Sequence, residues 1–257
     1  MREKEVTTMA STIPAVQVVA AKEASPVSDY RAAPHLGGEL LSAPDFPLWL
    51  TAVEVPDGES LQWGEDHGEE VVYVDIGALV DGTRECVEKG AVVLEAGSPA
   101  RLTAKGDTRV LHFGSRSPAS ERPEDPAVHV VGPLGTWSMV DEIRDSHYFA
   151  DSTCPTCDVT LLYTSRKDEW DSSTHSHSAD EIIHLLWGDI QVGRWHLDPG
   201  DTVAIRGDAA YHFRSGPNGF GFLNFRAGPS TMRIPATGVT LVEGGEVNDF
   251  IPVMDLR

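Results

Sequence analysis

The segment Thr174-His175-Ser176-His177 sets two imidazoles two residues apart, and Glu181 comes next at the same parity. On a β-strand such residues project from one face, so His175 and His177 would turn their rings to one side. A short turn through Ser178 to Asp180 lets Glu181 rejoin that face. Further along, Pro199-Gly200-Asp201 makes a tight turn, and His212 lies beyond a second turn on a new strand. Three imidazoles and one carboxylate are donors for a divalent transition metal. In six-coordinate geometry they leave positions open, which suits an exchangeable, catalytic site better than a closed structural one. No cysteine falls in the motif.

Neighbouring side chains are weighed for the same site. His184 has the opposite parity to Glu181 and is expected to face away, as a packing or surface residue; His196 is the other competitor for a ligand role. Arg214 shares parity with His212 and is a candidate for orienting an anionic substrate, with a surface ion pair as its plain alternative. Tyr163, on the strand before the first motif, and Asn224, on the strand after the second, are candidate hydrogen-bonding groups. Core filling and a strand end are their alternatives.

These residues need strands to carry them, and the sequence supplies strand signals. From Phe46 onward, short runs of near-alternating apolar residues such as PLWLTAVEVPDG, EEVVYVDIGALVDG and TRVLHFG are broken by Gly, Pro, Asp and Asn. Helical periodicity is almost absent, so the chain reads as all-β. The stretch starting at Trp49 can be laid over the one starting at Asp158, and the two stay in step into GAVVLEAG and GDTVAIRG. This is the mark of an internal repeat. The Pro-rich, charged stretch from Ser115 to Ala127 suits a linker between the copies. The expected organisation is an N-terminal arm over residues 1–35, partly disordered, a first domain over 36–128 and a second over 129–257.

The first copy acts as an internal control. It keeps Glu70 opposite Glu181, but Gly64 and Asp66 stand where His175 and His177 do, and Arg101 or a neighbour stands near the place of His212. His67 is off by one. No metal is expected in the first domain, whose task would be to cover sheet edges and support the second.

The second motif set resembles the cupin superfamily: His-x-His, then Glu181, then Gly188, and later His212. Over roughly residues 46 to 228 the chain resembles a bicupin, and the resemblance implies two tandem jelly-roll β-barrels. It implies iron as the metal, with nickel, manganese, zinc, copper or cobalt as alternatives, held by His175, His177, Glu181 and His212. By analogy with quercetin dioxygenase-like cupins, Glu181 would double as a base beside a small oxygen-rich substrate and O₂, with Tyr163 and Arg214 assisting. Two alternatives stand beside this: a non-redox lyase, isomerase or cyclase using the metal as a Lewis acid, and a non-catalytic metal- or ligand-binding cupin.

Composition narrows the partners. Forty acidic against 20 basic side chains give a formal charge of -20, which repels phosphate backbones and anionic membranes. A small molecule is the expected partner, with no nucleic acid and no membrane, in a homodimer of cytoplasmic location. The three cysteines, Cys86, Cys154 and Cys157, do not suggest a disulfide scaffold. Cys154-Pro155-Thr156-Cys157 reads as two half-buried thiols, with a small disulfide or half of an intersubunit zinc site as its functional alternatives. The tryptophans are read as core and interface filling.

Overall fold

The computed structural model describes residues 14–116, 122–151 and 154–242. The first part of the expected arm and the middle of the expected linker lie outside these residues. Strands dominate, and the described residues form no α-helix.

Two halves are evident. In the first, a seven-stranded sheet centred on Glu70–Ile76 and Thr108–Ser115 faces a four-stranded sheet that includes Ser60–Trp63 and Ala100–Ala104. Val53, Val72, Val74, Leu61 and Leu102 fill the space between them. In the second, an eight-stranded sheet is built around Val159–Arg166, Glu181–Val192 and Phe213–Ala227. A three-stranded sheet contains Ser176–His177 and Thr231–Ile234. Ile183, Leu185, Val203, Phe213 and Phe222 form the second interior.

The large sheets of the two halves pack back to back. Val71, Tyr73, Leu111 and Phe113 meet Leu161, Ile182, Leu223 and Phe225, with the rings of Phe113 and Phe225 5.4 Å apart. Residues of one parity therefore fill each half's own interior, and those of the other parity fill the junction. This explains why the central strands read as apolar runs, EVVYV and EIIHLL, rather than clean alternations: both faces are covered. On the strand Glu181–Val192, Glu181, Ile183 and Leu185 belong to the interior face, while Ile182 and His184 take the other parity.

The described part of the arm is built into the sheets. Val16–Val19 pairs with Thr202–Ile205 and adds an edge strand to the second half. Ser25–Val27 pairs with Gly38–Leu40 on the first half's sheet. At the other end of that half, Val128–Val131 pairs with Ala91–Leu94, so the first sheet continues to Val131, past the boundary expected at residue 128.

Candidate metal centre

The second half encloses a cavity of about 160 Å³. Its walls include the rings of Tyr148, Trp170, Tyr211, Phe213 and Phe222, and its polar lining includes His175, His177, Asn224 and Arg226. His175 is positioned by a two-way backbone pairing with Tyr211, and His177 by the short strand that pairs with Thr231–Ile234. The two imidazoles lie edge to face with centroids 5.1 Å apart. The Nδ1 of His175 is 2.7 Å from the carbonyl of Ser173, which leaves Nε2 as its outward donor. Burial, and after it the neighbouring His177, hold the His175 ring below the usual imidazole range, so it stays neutral.

Glu181 is buried beside them, beneath Asn224 and Arg226. Arg226 stands opposite it in the register of the two central strands. One oxygen, Oε2, accepts from Asn224 Nδ2 at 2.8 Å and Arg226 Nη2 at 3.1 Å, and His177 Nε2 is 3.9 Å away. The other, Oε1, and Asn224 Oδ1 have no hydrogen-bond partner. Burial pushes this carboxyl up, yet the charges of His177 and Arg226 and the Asn224 bond outweigh it. The net direction is below the ordinary carboxylate value, so Glu181 is ionised.

The same guanidinium nitrogen lies 3.3 Å from His177 Nε2. Arg226 therefore places its positive charge against two of the donors expected to hold an ion. In type His175, His177 and Glu181 suit a divalent metal as a two-imidazole, one-carboxylate set with an available carboxylate oxygen, but as the side chains stand their donor atoms do not all lie within 4.8 Å of one another. Arg226 is the competing cation, and an ion could gather the three donors only with its contact to His177 loosened.

His212 does not complete the set. Tyr211, Phe213 and Ser215 are buried and alternate with the less buried His212 and exposed Arg214, and it is Tyr211 that lines the cavity. The turn before it holds Asp208 in a left-handed conformation (φ 62°), and the chain enters the wall at Tyr211, one residue earlier than expected. Arg214 is corrected by the same alternation. Its side chain is exposed and pairs with Asp171 at 2.9 Å, the surface ion pair that was its plain alternative.

Tyr163 also lies outside the cavity. Its neighbours Leu162 and Thr164 line the wall, so Tyr163 points to the opposite face. There it accepts a bond from Trp187 Nε1 at 3.0 Å and stacks on His147. Asn224 is brought to the site as expected. His184 faces away, with Nδ1 2.9 Å from Thr202 Oγ1. Arg226 was missed, because the feature that singles it out is its register opposite Glu181, which a linear motif does not carry.

The first half has a counterpart with different parts. Glu70 Oε2 is bonded by Trp63 Nε1 at 2.8 Å and His112 Nε2 at 2.9 Å, and Arg31 from the arm reaches Oε1 at 2.5 Å. Gly114 stands opposite Glu70, where Arg226 stands opposite Glu181. The space an arginine would need there is taken by the Trp49 ring, with which a Cβ on Gly114 would overlap. The first half thus supplies an imidazole from another strand, and His112 was not anticipated because it lies outside the aligned motif.

Cys154 and Cys157 form a disulfide rather than the two thiols expected. Cys86 is a buried free thiol whose pKa burial pushes up to about 12. Among the described residues, no helix is long and apolar enough to cross a membrane.

No protein-family model and no curated protein matches the chain. Solved structures do. A candidate dioxygenase from Nostoc punctiforme superposes with a TM-score of 0.62 at 13% identity, covering 83% of each chain. Oxalate decarboxylase from Bacillus subtilis gives 0.60 at 12%, covering 82% of this chain and 76% of its own. A bacterial pirin from Escherichia coli, in complex with nickel(II), gives 0.60 at 11%, covering 83% and 99%. At such identities the likeness is one of fold, and it extends over both halves of the chain. Together with the antiparallel sheets enclosing the His175 and His177 cavity, it establishes that this chain has the fold of the cupin superfamily.

Proposed function

We propose that the chain is a metal-dependent cupin enzyme of dioxygenase type, acting on a small oxygen-rich organic molecule in the cavity of its second half. It would be built as two tandem cupin domains, divided after Val131 rather than at residue 128, with the first in a supporting role. The observation that carries the reading is the placement of His175 and His177 on the wall of an aromatic cavity, over the buried carboxylate of Glu181. A divalent ion held by these three residues, iron first among the first-row metals, would supply redox or Lewis-acid chemistry at that wall.

The remaining residues have roles set by their positions. Tyr148, Trp170 and Phe222 give flat apolar walls that hold an organic ring and keep water out. Asn224 presents an unpartnered amide oxygen, and Arg226 presents positive charge for an enolate, phenolate or carboxylate oxygen. His175 is kept neutral and so can act as a donor. Glu181 is anchored through Oε2, which leaves Oε1 as the oxygen toward an ion, and Oε1 would have to leave the ion before it could take a proton.

Arg226 also favours a second reading, a non-catalytic cupin in which the guanidinium takes the place of an ion and binds a small anionic ligand. The third reading, non-redox chemistry, shares the metal with the first. Elemental analysis of protein purified without added metal separates the second from the other two. Oxygen uptake with phenols, enols and diketones, repeated without oxygen, separates the remaining pair. Stoichiometric metal that is lost in His175→Ala supports the proposal, and protein without metal and without turnover overturns it. A homodimer in the cytoplasm completes the reading, with sedimentation as the test of oligomeric state.

A further inference from the structure

A second set of metal donors lies away from the cavity, at the seam between the halves. Glu95 comes directly after the strand Ala91–Leu94, and His129 sits on the neighbouring strand Val128–Val131 opposite Val93. Cys154 and Cys157 come from the other half, in the connection leading into Val159–Arg166. Donor atoms of all four lie within 4.8 Å of one another, and no other such group occurs among the described residues.

We propose that, with the Cys154–Cys157 disulfide reduced, these four residues form a tetrahedral site for zinc or a similar thiophilic divalent ion that clips the two halves together. The geometry converges on one atom, Oε1 of Glu95. His129 Nε2 is 2.8 Å from it, Cys157 Sγ is 3.7 Å from it, and the hydroxyl of Thr156 donates to it. The carboxylate's other oxygen accepts from the backbone N–H of Ala127 at 2.8 Å, which fixes its orientation. With metal–sulfur bonds of about 2.3 Å and metal–oxygen or metal–nitrogen bonds of about 2.0 Å, tetrahedral edges run at about 3.3–3.8 Å. The Cys157–Glu95 separation already matches. The His129–Glu95 pair has only to open by about 0.5 Å as its hydrogen bond gives way to two metal bonds.

The donor types choose the ion. Two thiolates with one imidazole and one carboxylate select zinc-like metals over magnesium or calcium, which take oxygen donors. Burial also matters. The Glu95 side chain is 1% exposed, and such an anion needs a compensating charge. In the disulfide form His129 and Thr156 supply its partners; in the reduced form the ion does. A dithiol reductant opens the site: the S–S bond breaks, two electrons pass to the cysteines, and the reductant leaves as its own disulfide. The thiols then release two protons to solvent as the metal binds.

Cobalt(II) added without oxygen to the dithiol-reduced, full-length protein tests this. One equivalent should produce thiolate-to-cobalt absorption in the near ultraviolet and the strong visible bands of a tetrahedral site, both displaced by zinc. The double variant Cys154→Ser/Cys157→Ser should abolish the thiolate bands, each single variant should at least halve them, and His129→Ala should weaken binding about tenfold or more. The double variant His175→Ala/His177→Ala should keep the bands, which distinguishes this site from the cavity. Absence of thiolate bands in the reduced wild-type protein, or bands of undiminished intensity in Cys154→Ser, overturns the proposal. A second readout needs no variant: zinc should protect Cys154 and Cys157 of the reduced protein from alkylation, and equal labelling with and without zinc counts against the site.

Discussion

Arg226 Nη2 stands 3.1 Å from Glu181 Oε2 and 3.3 Å from His177 Nε2, so one side chain bridges a buried carboxylate and a buried imidazole. Removing it takes away one of the two charges that hold Glu181 ionised. Arg226→Ala is expected to cost about 3–5 kcal/mol of unfolding free energy when metal is absent, the range for breaking a buried pair. Manganese or iron should recover part of that loss in urea denaturation, because the ion then takes over the charge. A variant that stays destabilised to the same extent at saturating metal would show that the three donors do not close around an ion.

Arg31 gives the contrast. It reaches Glu70 from a side chain that is 43% exposed, and His112 and Trp63 hold the same carboxylate. Arg31→Ala should therefore destabilise less than Arg226→Ala, and metal should not rescue it. Parallel denaturation of the two variants measures the difference.

Tyr211 and His212 can be told apart by substitution. His212→Ala should leave metal content and turnover unchanged and shift stability by no more than about 0.5 kcal/mol, as for ordinary surface changes. Tyr211→Ala should enlarge the cavity and weaken ligand binding, since its ring lies 4.5 Å from that of His175. Loss of metal in His212→Ala would restore the ligand assignment that the wall geometry removes.

The contrast marks what could be read from the chain alone. The His-x-His parity, Glu181 and the all-β character arise from local periodicity, and local periodicity is what a sequence states directly. Tyr211 and His212 differ by one position, and that position is decided in a turn, one that holds Asp208 in a left-handed conformation. The alternation of Tyr211, Phe213 and Ser215 was the available signal, but a histidine's suitability as a ligand outweighed it. Arg226, His112 and the Glu95 group are products of strand register and of packing between the halves, where residues far apart in sequence become neighbours.

His184 predicts a pH dependence. Burial, and after it the charge of Arg109, hold this ring down at about 4, from an ordinary value of 6.5. Between those values the unfolded chain binds a proton that the folded protein refuses. Stability therefore falls as pH drops from 6.5 toward 4, by about 1.4 kcal/mol per unit for this one group, and its contribution levels off below. His184→Gln should reduce the slope of unfolding free energy against pH by one proton across that window. An unchanged slope would mean that the ring is protonated in the folded protein.

Gly188 has φ 78°, and a Cβ there would overlap the carbonyl oxygen of Gly219. Both the left-handed backbone and the contact with a neighbouring main chain exclude other residues. Gly188→Ala should lower the melting temperature more than Gly193→Ala, since Gly193 is also left-handed (φ 58°) but has open space around it. Equal shifts would show that backbone conformation alone decides the cost.

The edge strand Val16–Val19 bears on how the chain is made. Its partner, Thr202–Ile205, leaves the ribosome about 185 residues later, roughly 10–40 s at about 5–20 residues per second. Throughout synthesis this apolar stretch is a strand without a sheet, open to wrong pairing with other nascent chains. A polypeptide stalled before residue 202 keeps it in that state. This segment must wait for the second half's strand Thr202–Ile205 before it can dock.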